Sequence, residues 1–168
     1  PECGSPAVRA EGEAVYRCTG GLSCASQLQG ALLHYVGRRA LDIEGLGEKL
    51  LLQLIEKKLV QSPADIYRLT TAALQELERM GEKSAQNVID AIHKSKTTTL
   101  ARFIYALGIL DVGESTAQVL AQHFRSIEAL TQAAEDDAPT ATAEGLKDKQ
   151  RFPKLREVPD VGPEVARQ

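Results

Sequence analysis

An apolar residue, two further positions, a second apolar residue and then glycine recur four times in this chain, and that repeat constrains the fold more than any other feature. The copies are Ile43-Glu44-Gly45-Leu46-Gly47, Leu77-Glu78-Arg79-Met80-Gly81, Ile109-Leu110-Asp111-Val112-Gly113 and Val158-Pro159-Asp160-Val161-Gly162. Their first apolar positions lie 34, 32 and 49 residues apart. Each copy leads into an apolar stretch, and in three of them alanine stands four residues after the glycine, at Ala85, Ala117 and Ala166. A single copy fits any tight joint between helices. Four in similar register predict a tandem array of helix, hairpin and helix.

Composition agrees with a mainly α body. Aromatics are 4% of the 168 residues and Trp is absent, so burial rests on Leu, Ile, Val and Ala, and a 43% hydrophobic content is enough for a core. No apolar run reaches the roughly 18 residues of a membrane span, and no basic-then-apolar signal opens the chain, so a cytoplasmic protein without a membrane partner is expected. The net charge of −3 provides no global positive field, so any nucleic-acid contact must be local.

Apolar spacing predicts helices over 26–36, 48–59, 82–94, 100–107, 114–123 and 126–134, with shorter ones after Ser62-Pro63 and after Thr70 or Thr71. Phe103, Ile104 and Leu107 are expected to face a core. Residues 136–150 have no apolar period and read as a flexible loop, which accounts for most of the excess in the 49-residue step.

Three cysteines, Cys3, Cys18 and Cys24, argue against a closed disulfide framework. Their spacing, with Gly4 and Gly20-Gly21 beside them, is the layout of a small tetrahedral zinc site, although such a site takes four ligands. His34 lies in an apolar helical pattern and is not expected as the fourth. Pro1 to Cys3 reads as the back of a Cys-x-x-Cys pair, which predicts a finger truncated within its own metal site, with zinc weakly held or lost. The competing reading is three unrelated cysteines.

In each repeat the glycine stands before a helix whose first N–H groups have no intrahelical partners. Such an end suits a phosphate oxygen, and the contact carries no base information. The candidate contacts are Gly45, Gly47 and Lys49 in the first copy, with Arg38 and Arg39 before it; Gly81, Lys83 and Ser84 in the second; Gly113, Ser115 and Thr116 in the third; and Gly162 in the fourth. Arg79, Asp111 and Asp160 replace the first glycine of the later copies, which therefore read as tighter helix joints. The first copy keeps both glycines and is the strongest candidate.

Cys3-Gly4-Ser5, Glu11-Gly12-Glu13-Ala14, Arg17-Cys18-Thr19-Gly20-Gly21, the stretch from Arg38 to Gly47, and Lys96-Thr97-Thr98-Thr99-Leu100-Ala101-Arg102-Phe103 closely resemble the C-terminal part of the bacterial NAD-dependent DNA ligases. The resemblance implies a four-cysteine zinc finger (1–26) followed by a domain of four helix-hairpin-helix motifs (27–168). Cys3, Cys18 and Cys24 would be zinc ligands, and the hairpins would grip nicked double-stranded DNA by its backbone. It further implies a monomeric, cytoplasmic and nucleoid-associated enzyme of replication and repair that uses NAD and magnesium. No Lys-x-Asp-Gly nucleophile motif occurs, so no catalytic residue is expected in this chain and it is predicted to be inactive alone. Two other classes fit part of the sequence: a helix-hairpin-helix module of a nuclease or recombination factor, and a helical scaffold that docks proteins.

Overall fold

The apolar-periodic stretches fold as helices in the computed structural model, which describes residues 3–9, 14–147 and 150–168. The motif residues Glu11 to Glu13 lie outside the described residues. The chain divides into two compact units, Pro1–Thr97 and Thr98–Gln168. Each holds two hairpins, and the cysteine segment belongs to the first unit.

In the first unit the strands β1 (Ala7–Val8) and β2 (Arg17–Cys18) pair antiparallel, with Ala7 opposite Cys18. Helix α1 (Ala25–Val36) starts directly from Cys24 and buries Leu28, Leu32, Tyr35 and Val36. It packs on α2 (Glu48–Glu56), whose Leu50, Leu51 and Leu54 supply the facing apolar stripe. Pro63–Arg68 forms a 3-10 helix, not the expected α-helix. The Ser62 hydroxyl donates to the Asp65 carboxylate at 2.8 Å instead of capping the backbone, and the Gln61 amide donates to the same oxygen. Those bonds hold the Asp65 carboxyl below its usual range, the Ser62 hydroxyl contributing most.

Thr70 caps α3 (Thr71–Gln75), accepting from the Ala73 amide, and α3 packs on α4 (Glu82–Ser95). A line of hydroxyls joins three elements: Tyr35 to Tyr67 at 3.3 Å, Tyr67 to Ser95 at 3.3 Å, and Ser95 to the Ile92 carbonyl at 2.8 Å. Burial, more than the Tyr67 neighbour, pushes the Tyr35 phenol far above its ordinary value.

The second unit centres on Ile104, Val112, Ala117, Leu120, Val158 and Val161. It comprises α5 (Leu100–Ala106), α6 (Glu114–Phe124), α7 (Ile127–Ala141) and α8 (Pro163–Arg167). Thr99 and Ser126 cap α5 and α7 through their hydroxyls. Ile104 faces the core as expected, but Leu107 follows the last turn of α5 and is 46% exposed. The expected loop 136–150 is corrected over its first six residues, because α7 runs on through Asp136 to Ala141. Its buried stripe continues through Ala133 and Asp137, and a polar residue at an inward position erases the apolar period there.

Candidate nucleic-acid interface and metal centre

The four hairpins repeat one backbone. The third residue of each is left-handed, with φ of 91° at Gly45, 59° at Arg79, 63° at Asp111 and 63° at Asp160. The fourth residue's amide then donates to the first residue's carbonyl: Leu46 to Ile43 at 3.4 Å, Met80 to Leu77 at 3.3 Å, Val112 to Ile109 at 3.1 Å and Val161 to Val158 at 3.2 Å. The substitutions at the first glycine position therefore leave the turn intact. Aspartate tolerates this conformation better than most residues, and Arg79 carries its strain without that help.

The two glycines of the first hairpin have different reasons to be there. A Cβ on Gly45 would sit 2.8 Å from Val88 Cγ2, and its φ is positive, so the fold itself demands glycine. Gly47, Gly81, Gly113 and Gly162 have φ between −79° and −82°, where any residue fits. A Cβ at any of the four would meet nothing within 4 Å. Packing within the fold therefore does not require glycine at these four positions.

Each of the four is the N-cap of an outgoing helix, α2, α4, α6 or α8, and none of those ends receives a side-chain cap. By contrast α3, α5 and α7 are capped by Thr70, Thr99 and Ser126. The hairpin-exit helices thus begin without a side-chain cap from the residue at the N-cap.

Around these ends the expected residues fall into place unevenly. Lys49 and Lys83 are exposed second residues of α2 and α4, and Ser84 and Ser115 are exposed, with Thr116 half-buried. Arg38 and Arg39 are exposed in the turn after α1, and Arg38 joins Gly45 and Gly47 in lining a groove of about 560 Å³. Ser84 lines a second groove of about 580 Å³ with Gly45, Met80, Asn87 and Lys94, alongside the acids Glu44 and Asp90. Asn87 and Lys94 were not singled out from sequence, although their spacing from Ser84 on α4 puts all three on one helix face. The fourth hairpin offers no lysine or hydroxyl, and Pro163 opens its helix.

Cys3, Cys18 and Cys24 converge, their sulfurs all within 4.8 Å of one another, and His34 is not part of the group. Cys3 Sγ lies 3.4 Å from Cys18 Sγ. Hydrogen bonding from the Ser5 hydroxyl, ahead of its backbone amide and the neighbouring thiols, lowers Cys3 to about 6. Cys18 accepts from the Gly20 amide, which favours its thiolate, yet the neighbouring Cys3 and desolvation raise it overall. A methyl group on Gly20 would come 2.9 Å from Cys3 Sγ and 3.2 Å from Cys24 Cβ, so glycine keeps the cradle open. Three soft sulfur donors at this separation fit a structural zinc ion and supply three of its four tetrahedral positions.

Residues 1–25 match the profile of the NAD-dependent DNA ligase C4 zinc finger domain. Residues 38–94 match a SAM-like helix-hairpin-helix tandem, and residues 102–139 a helix-hairpin-helix motif. A DNA ligase of Hahella chejuensis is 52% identical over 163 residues, 97% of this chain. The resemblance to the NAD-dependent DNA ligases extends over nearly the whole chain. The chain spans only 21% of that ligase's length, so it corresponds to one segment of such an enzyme. Among the described residues no helix is long and apolar enough to cross a membrane.

Proposed function

We propose that this chain is the duplex-gripping segment of an NAD-dependent DNA ligase, holding nicked DNA by backbone phosphates while the rest of the enzyme seals the nick. The observation that carries this reading is the glycine at 47, 81, 113 and 162, conserved through all four copies of the repeat where the fold needs none. A phosphate oxygen accepts from the first-turn amides of α2, α4, α6 or α8, and the missing Cβ lets the backbone approach. Lys49 and Lys83 add positive charge at two of these ends, and Ser84, Ser115 and Thr116 add hydroxyl donors. Arg38 and Arg39 extend the first site toward the preceding turn.

Zinc, held by Cys3, Cys18 and Cys24, takes the place of a core that residues 3–24 are too few to build. NAD and magnesium serve the remainder of the enzyme, which supplies the adenylate and the sealing chemistry; no residue here is assigned to them. The segment acts as a monomer, in the bacterial cytoplasm at the nucleoid, during replication and repair. The finger joined to the hairpins favours a ligase over a nuclease or recombination module.

A duplex carrying one pre-adenylated nick tests the reading. The chain is expected to shift it in a binding assay and to leave the nick open. Failure to bind would overturn the DNA assignment, and sealing would overturn the assignment of catalysis to the rest of the enzyme.

A further inference from the structure

Asp137 is 1% exposed, in a stretch whose sequence is otherwise that of a solvated linker. A carboxylate is brought out of water only where hydrogen bonds compensate it. Its Oδ1 accepts from the Lys154 amide at 3.2 Å and its Oδ2 from the Leu155 amide at 2.8 Å, seventeen and eighteen residues further on. Lys154 and Leu155 open a short 3-10 helix, Leu155–Glu157, that leads directly into Val158, the first residue of the fourth hairpin.

Other bonds close the same excursion. Thr140, one turn after Asp137, accepts at its hydroxyl from the Phe152 amide at 2.9 Å. The Arg151 guanidinium donates to the carbonyls of Ala141, Ala143 and Leu146. Phe152 is buried with Ala133 and Leu155, and Ala166 of α8 packs against that cluster. The segment from Arg151 to Leu155 is therefore fastened back onto the C-terminal part of α7 and the residues just after it.

We propose that Asp137 is the positioning residue of the fourth hairpin: its buried carboxylate fastens the start of the 3-10 helix to α7, and so fixes the place of the turn from Val158 to Gly162. This rests on the reading of that hairpin as a phosphate contact.

The test uses the 168-residue chain as Asp137→Asn, Asp137→Ala, Gly162→Val and the double variant Asp137→Ala/Gly162→Val, read by amide hydrogen exchange and by affinity for nicked duplex. Asparagine keeps one acceptor and alanine none, so exchange at Leu155 and Val161 is expected to rise by about tenfold in Asp137→Asn and further in Asp137→Ala. Exchange at Val112, in the third hairpin, and at Ala117, in the helix that follows it, is expected to stay unchanged. Asp137→Ala is expected to weaken binding to the level of Gly162→Val, with the double variant no weaker than either. Unchanged exchange at Val161, an equal rise throughout residues 98–168, or additive losses of affinity would overturn the proposal. If Gly162→Val binds normally, the phosphate contact at this hairpin fails, and exchange at Val161 alone decides the role of Asp137. Should Asp137→Ala fail to fold, Asp137→Asn carries both measurements.

Discussion

Replacing Gly45 and Gly47 separately should split stability from binding at two positions with a single residue between them. Gly45→Ala imposes a left-handed φ of 91° on a residue with a Cβ, at a cost of about 1–2 kcal/mol. The new carbon also lies 2.8 Å from Val88 Cγ2, and Val88 is itself buried, so overpacking adds about 1–3 kcal/mol. Together a loss of about 2–5 kcal/mol in unfolding free energy is expected. Gly47→Val meets no atom within 4 Å and keeps an ordinary extended backbone. Its weaker N-cap preference and its reduced unfolded-chain entropy oppose each other, so stability should change by about 1 kcal/mol or less. Binding behaves the other way: Gly47→Val obstructs the phosphate and should weaken affinity for nicked duplex by about 1–3 kcal/mol, the loss of a charge-assisted hydrogen bond. Urea unfolding followed by circular dichroism gives the first quantity and fluorescence anisotropy with a labelled nicked duplex the second. Unchanged affinity in Gly47→Val, or a stability loss matching that of Gly45→Ala, would refute the division of labour.

Arg79→Gly should stabilise the first unit or leave it unchanged: relief of the left-handed strain gains about 1 kcal/mol, partly offset by greater unfolded-chain entropy, and a lowered urea midpoint would contradict this. Tyr67→Phe removes the shared link between Tyr35 and Ser95 and should cost about 1 kcal/mol of unfolding free energy. Cys24→Ser and Gly20→Ala should each reduce the zinc retained after dialysis, the first by removing a ligand and the second by crowding Cys3 Sγ; full retention in both would exclude this cluster as the metal site.

The hairpins were legible because apolar residues and a glycine at fixed spacing leave a mark that survives substitution of the first glycine. Sequence could not separate the tasks of Gly45 and Gly47, since the difference lies in the sign of φ and in the presence of Val88 from α4, a contact made across 43 residues of chain. Nor could it show that Arg79, Asp111 and Asp160 keep the same turn, because non-glycine residues rarely take the left-handed backbone they adopt here. The reach of α7 was hidden for a related reason: its inward positions carry Ala133 and Asp137, and only bonds to Lys154 and Leu155 make a carboxylate tolerable there. The hydroxyl caps at Thr70, Thr99 and Ser126 were readable from local sequence, because a cap is settled within three residues. The cysteines were readable as a group, and their convergence depends on the β1–β2 pairing that brings Cys18 beside Cys3.

Titrating the unmodified chain with nicked duplex over a range of about 50 to 200 mM salt tests the central claim most directly. Gripping by backbone phosphates predicts binding whose affinity falls steadily as salt rises and changes little when the duplex sequence is altered. No binding at low salt, or an affinity indifferent to salt, would contradict it.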